Sequence, residues 1–136
     1  MAKRQDIYRV LDANINRARE GLRVLEDVAR FIFNDRKTTQ LLRSCRHDLD
    51  QSARKIYPQL IAARDSGDDL GRTFKEPKRK DLLGLTVANF KRVEEAVRVL
   101  EEFAKLFGAR QGRIFKKIRF NMYQAEKIIV LKGKYK

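Results

Sequence analysis

The chain has 136 residues, a formal net charge of +14 and a single cysteine, Cys45. That length suits one domain around one core, and the composition excludes a disulfide-stapled scaffold, a disordered chain and a membrane-spanning one, since no apolar run approaches the roughly 20 residues that cross a bilayer. The basic excess attracts anions without choosing among nucleic acid, phosphorylated metabolites and acidic surfaces. MAKRQDIYRV, at the N-terminus, lacks the apolar stretch and cleavage site of a signal peptide, so the cytoplasm is the expected compartment.

The first predicted element is a long amphipathic helix in which Ile15, Ala18, Leu22, Leu25, Ala29 and Ile32 recur at spacings of three and four. Asn34 is its expected stop. A second helix follows, with Leu41, Leu42, Cys45, Leu49, Ala53 and Ile56 as its stripe, ending at Pro58. A connection of about residues 59–80 starts with a short helical turn at Gln59–Ala63 and is otherwise loop-like in its Gly, Asp and Pro content. A third helix carries Phe90, Val93, Val97, Leu100 and Ala104 and stops at Gly108. The fourth carries Ile114, Phe115, Ile118, Met122, Ala125 and Ile129.

The third helix repeats the first. NINRAREGLRVLEDVARF from Asn14 aligns without a gap on NFKRVEEAVRVLEEFAKL from Asn89, an offset of 75 residues that matches Asn14 to Asn89, Arg17 to Arg92, Glu20 to Glu95, Arg23 to Arg98 and Glu26 to Glu101. In the helices that follow, Arg46 and Gln51 correspond to Arg119 and Gln124. The expected fold is all-α. Two pseudo-symmetric helical hairpins, about 8–57 and 82–131, form an antiparallel four-helix bundle-like domain over 1–136 with a long central loop. Apolar residues off the main stripes, among them Val24, Phe31, Val99 and Phe103, leave room for a homodimer.

Two features carry candidate chemistry. Asn14 and Asn89 lie at the margin of the apolar face with Arg17 and Arg92 one turn on. An amide there needs partners: either an Asn–Arg–Glu network ties the hairpins together, or two half-sites read a ligand. Arg23 and Arg98 stand three residues from glutamates on either side, and a solvated ladder of such pairs contributes only a few tenths of a kcal/mol each. The loop reads RDSGDDLGR from Arg64 to Arg72. Asp65, Asp68 and Asp69 are hard oxygen ligands of the kind Mg2+ uses together with substrate phosphates. Arg64 and Arg72 suit bidentate phosphate contacts, and Gly67 and Gly71 permit close backbone approach. A charged surface loop is the plain alternative. There is no P-loop, no GxGxxG, no protein-kinase signature and no zinc-ligand spacing. Cys45 reads as core and His47, the only histidine, as surface. The last segment, Arg110 to Lys136, holds nine Lys or Arg against the single acid Glu126 and reads as a solvated basic face.

Taken together, NINRAREGLRVLEDVARF, LLRSCRHDL, RDSGDDLG and NFKRVEEAVRVLEEFAKL resemble the small helical hydroxymethylpyrimidine-phosphate kinase family of thiamin biosynthesis. The resemblance runs from about Tyr8 to Tyr123. That domain is often fused in front of thiamine-phosphate synthase and also occurs alone, so the chain is expected to be either free-standing or a fragment of such a fusion. The resemblance implies an ATP-dependent kinase that converts 4-amino-5-hydroxymethyl-2-methylpyrimidine phosphate to the diphosphate, with ATP and Mg2+ as cofactors and the synthase as a partner. Residue chemistry then assigns Asp65, Asp68 and Asp69 to the metal and Arg17, Arg64, Arg72 and Arg92 to phosphates, Arg64 and Arg72 nearest the transferred group. It assigns Asn14 and Asn89 to the aminopyrimidine or the phosphates. Glu26 and Glu101 are left for ring recognition or the metal.

Three rival readings stay open. A helical nucleic-acid binder fits the charge but not the acidic loop, whose carboxylates repel phosphates unless a cation intervenes. A helical enzyme of the chorismate mutase sort needs neither metal nor nucleotide. A non-catalytic domain that only scaffolds the synthase needs no site at all.

Overall fold

In the computed structural model, residues 3–134 are described. Helix α1 spans Arg4–Asp27, α2 Arg36–Arg54, α3 Tyr57–Ala63, α4 Leu82–Ala104 and α5 Arg113–Lys134. Among the described residues there is no strand. The ends of the helices are chemically marked. Asp35 caps α2 by accepting the Thr38 N–H at 2.9 Å, and Asp81 caps α4 by accepting that of Gly84 at 2.7 Å. Pro58 does not end α2, which stops at Arg54; it sits in the first turn of α3, where its missing N–H costs nothing. Asn34 and Gly108 close the two long helices with φ of +50° and +143°.

The four long helices form a closed ring in the order α1–α4–α5–α2, and α3 lies against α1. Near the start of α1 Tyr8 stacks on Phe107 just past the end of α4, while further along a Cβ on Gly21 would lie against Asn89 and Val93, so these two helices run antiparallel. Asp35 meets Lys132 and Asp48 meets Lys117, which makes α2 and α5 antiparallel as well. The predicted stripes fill the interior: Leu22, Leu25, Leu42, Leu49, Phe90, Val97, Leu100, Ile118 and Met122 are buried, with Cys45 among them. Burial and the nearby Asp48 push the Cys45 thiol up to about 12, so it stays an inert core group.

One stripe position departs from expectation. Ile32 is 41% exposed although the spacing places it with Ala29 and Leu25. The end of the first helix, Val28–Ile32, is a π-helical turn. Its wider winding turns each residue through a smaller angle than an α-helix does, so Ile32 falls behind the stripe and off the core face.

Two buried glutamates join each hairpin to itself. Glu26 on α1 receives Arg46 of α2 through Nε and, at 3.1 Å, through Nη2. Glu101 on α4 receives Arg119 of α5 through Nε at 3.2 Å and Nη2 at 3.0 Å, and Arg98 at 2.7 Å. Glu26 and Glu101, like Arg46 and Arg119, are the repeat-related positions, so the same clamp is built twice. Glu26 is thereby drawn away from Arg23, and Glu20 reaches Arg92 at 3.7 Å, so the expected ladder along α1 is replaced by contacts between helices. On α4 half of the expected ladder forms: Arg98 meets Glu101 and, in place of Glu95, Glu102.

The segment from Arg64 to Gly84 is exposed throughout. It holds one 3-10 turn, Leu70–Thr73. No helix among the described residues is long and apolar enough to cross a membrane. Lys136, the last of the basic C-terminal residues, lies outside the described residues.

Candidate functional site

The flank of α1 that faces the loop carries Asp6, Arg9, Asp12, Asn14, Asn16 and Arg17. Asp12 is buried on this flank and needs a partner. Arg64, at the end of α3, supplies it with a bidentate fork: Nε to Oδ2 at 2.8 Å and Nη2 to Oδ1 at 2.7 Å. The pair holds the Arg64 guanidinium firmly in its charged form, chiefly by the hydrogen bond to Asp12. It also pins the start of the loop to α1. The result is a cleft of about 730 Å3 whose wall on one side is α1 and on the other Arg64, Asp65, Ser66 and Asp69.

Within it, Asn14 donates Nδ2 to the Val10 carbonyl at 2.9 Å and accepts from Arg17 Nη1 at 3.4 Å, so the amide holds the arginine toward the cleft. Asn14 and Arg17 also line a second cavity of about 390 Å3 against α4, together with Lys91, Arg92 and Glu95. The two cavities therefore adjoin at Arg17, and the matched arginines of both repeats, Arg17 and Arg92, lie along one groove.

Of the predicted site residues, the fold thus brings together Asn14, Arg17, Arg64, Asp65, Asp69 and Arg92. Others stand apart. Asn89 makes the same back-bond as Asn14, to the Leu85 carbonyl at 2.9 Å, but sits beside Gly21 at the crossing of α1 and α4. Glu26 and Glu101 are the buried clamps described above. Asp68 donates its N–H to Asp65 Oδ1 at 3.2 Å, and Arg72 reaches only the Gly67 carbonyl, at 3.5 Å; neither lines the cleft. Asp69 caps the 3-10 turn, its Oδ1 accepting the Gly71 N–H at 2.8 Å, which leaves Oδ2 for another partner.

Among the described residues no three acid, histidine or cysteine side chains form a ready cage for a metal ion. The donor set at the cleft still fits Mg2+, which keeps most of its waters and takes one or two carboxylates together with phosphates. Asp65 and Asp69 are exposed carboxylates on one wall, and arginines capable of holding phosphate stand on the other.

Three functional candidates escaped the sequence patterns. Asp12 and Arg9 occupy positions where the second repeat has Val87 and Gly84, and that break in the repeat is the signal that marks them. Glu94 is the third. It is buried on α4, its Oε2 has no hydrogen-bond partner, and it faces Glu126 of α5. Lys91 lies 3.4 Å from Glu94 and 3.1 Å from Glu126. Burial, and then the Glu126 carboxylate, push Glu94 up to about 7.

Comparison with known proteins agrees on one family. The ThiD2 family matches residues 9–128. A protein named thiamine-phosphate synthase from Nostoc sp. is 42% identical over 125 residues, covering 90% of this chain and 35% of that protein. Its namesake from Rhodopirellula baltica is 39% identical over 135 residues, covering 96% and 36%. That from Synechocystis sp. is 42% identical over 123 residues, covering 88% and 35%. The chain thus spans about a third of the length of the curated relatives it matches. No solved structure gives a significant match. With the family pattern running from the flank of α1 through the loop to α5, the chain belongs to the ThiD2 family.

Proposed function

We propose that the protein phosphorylates 4-amino-5-hydroxymethyl-2-methylpyrimidine phosphate to the diphosphate with ATP, in thiamin biosynthesis. The observation that carries this reading is the cleft itself. Residues from the repeat (Asn14, Arg17) and from the acidic loop (Arg64, Asp65, Asp69) lie far apart in sequence and line one cavity. That cavity offers cations for phosphates and carboxylates for a metal, the combination phosphoryl transfer needs.

In the reaction, a phosphate oxygen of the substrate attacks the γ-phosphorus of ATP. A P–O bond forms there, the bond from that phosphorus to the β–γ bridging oxygen breaks, and ADP leaves. The attacking oxygen is already ionised at neutral pH, so no general base is required, in keeping with a site without histidine. Arg17, held by Asn14, and Arg92 along the same groove hold the phosphates of the two substrates side by side. Arg64 is committed to Asp12 and positions the loop wall; its outer face remains available to a phosphate oxygen. Asp65 and Asp69 would hold Mg2+, which neutralises charge on the phosphate oxygens. The product suits thiamine-phosphate synthase, the name its relatives carry, and that synthase is the expected partner.

The test is a coupled assay with Mg-ATP, the pyrimidine phosphate, the thiazole phosphate and thiamine-phosphate synthase. Thiamine phosphate should form only with this protein and ATP, stop with EDTA and return with Mg2+. Asp69→Asn should lower turnover at least tenfold with little change in melting temperature. Absence of product, while the synthase works on authentic diphosphate, would refute the kinase and leave the scaffold reading.

A further inference from the structure

A third cavity, of about 640 Å3, opens on the opposite face of α1. It lies between the N-terminal half of α1, the end of α2 and the turn that joins α4 to α5. Its floor is apolar: Leu11, Ile15 and Phe115 are buried there. At its side Tyr8 and Phe107 stack, with ring centroids 5.3 Å apart and planes at 22°. The Arg4 guanidinium lies 5.0 Å over the Phe107 ring. Around the rim stand Arg4, Lys55, Arg110, Arg113 and Lys117, and the lining contains no carboxylate. Among the described residues, Lys117 alone of these five cations forms an ion pair, with Asp48. Arg113 opens α5; its own N–H is taken by the Arg110 carbonyl at 3.3 Å, and the positive end of the helix dipole lies on the same side.

The basic rim is not a by-product of the fold or of the overall charge. The pseudo-twofold provides an internal control. Tyr8, Leu11 and Ile56 correspond to Leu83, Thr86 and Ile129, and these three line a cavity at the other end of the bundle. That equivalent cavity measures only about 180 Å3 and, among the described residues, has no charged side chain in its lining. Of two symmetry-related positions, one alone combines a roomy apolar floor with unpaired cations.

The geometry points to a second ligand site in this cavity, for a planar aromatic ring that carries phosphate or diphosphate. The ring would lie against the apolar floor beside Tyr8 and Phe107, and the phosphates would meet Arg110 and Arg113 at the start of α5. With no acid in the lining, binding there needs no metal ion. The site is separate from the cleft, because the residues of α1 that line the two cavities point to opposite sides of the helix.

An amide-resolved NMR titration of the full chain in EDTA tests this, with ADP as probe and inorganic diphosphate in parallel. ADP should shift the amides of Tyr8, Ile114 and Phe115 with saturation. Arg110→Ser with Arg113→Ser should weaken those shifts at least tenfold, and Phe107→Leu, which keeps every cation, should weaken ADP several-fold while leaving diphosphate unchanged. Shifts at Asn14 and Arg17 should respond to neither variant. Absence of ADP shifts around α5, or shifts indifferent to both variants, would overturn the site. Equal affinity for diphosphate and ADP would overturn the aromatic recognition and reduce the rim to an anion patch. None of these outcomes depends on turnover, so failure of the kinase reading is seen separately in the coupled assay.

Discussion

Glu101→Ala is the sharpest test of how this bundle is held. The wild-type carboxylate is only 3% exposed and receives both Arg119 and Arg98. Removing it strands the Arg119 guanidinium, whose side chain is 15% exposed, between α4 and α5. Losing one partner of a buried pair costs about 3–5 kcal/mol. An unfolding entropy of about 2.1 cal/mol/K per residue converts each kcal/mol into roughly 3.5 °C for a chain of this length. The melting temperature should fall by about 10–17 °C by this reckoning. Glu26→Ala should fall by a similar amount, because Arg46 stands in the equivalent place. Calorimetry gives the melting temperatures, and the coupled assay at 15 °C gives turnover per folded molecule, which should change less than about threefold if the clamps only hold helices together. A loss of turnover of a hundredfold with a melting temperature within about 3 °C of wild type would refute the reasoning. It would return Glu26 and Glu101 to the ligand-binding role that their place in the repeat first suggests.

Three further outcomes follow from the geometry. Gly21→Ala places a methyl 2.6 Å from Val93 Cγ2 and 3.4 Å from the Asn89 carbonyl, where α1 and α4 cross; β-branched Val93 cannot swing aside, so a loss of about 1–3 kcal/mol is expected in urea denaturation. Burial, and then the Glu126 carboxylate, raise Glu94 from its ordinary 4.5 to about 7 in the folded chain, so the native state binds the extra proton between those values and stability falls as pH rises through that window. Glu94→Gln should therefore gain on the order of 2–3 kcal/mol at pH 8.5 relative to wild type and almost nothing at pH 4, and equal effects at both would contradict the assignment. The hydrogen bond from Lys132, then that from the Thr38 amide, lowers Asp35 to about 2 from 3.8, so its contribution is complete above pH 3.8 and fades as pH falls toward 2. Asp35→Asn should lower the melting temperature by several degrees at pH 7, and the difference should close at pH 2.

The amino-acid sequence by itself determines the four long helices, the stops at Asn34 and Gly108, and the repeat; the end of α2, at Arg54 and not at Pro58, it does not. Apolar residues at spacings of three and four can face one core only as helices, and a gapless match of 75 residues' offset leaves little choice but two hairpins of one design. It also marks RDSGDDLGR as chemically unusual and Asn14 with Arg17 as flank residues. Partners are another matter. Periodicity assigns a side chain to a face, and several opposite charges lie within reach of any face. Glu26 has Arg23 one turn away on its own helix, yet it binds Arg46 of α2, because a fork enclosed between two helices satisfies a desolvated carboxylate better than an exposed neighbour does. Arg64 and Asp12 are 52 residues apart, and only the docking of α3 on α1 makes them a pair and the cleft a cavity. The π-helical turn that moves Ile32 outward likewise follows from no local spacing, and the cations that ring one of two symmetry-related cavities, though present in the sequence, are gathered around one apolar floor only by the closure of the bundle. Local spacing fixed what each helix offers; the way the hairpins close on one another decided which of those offers meet.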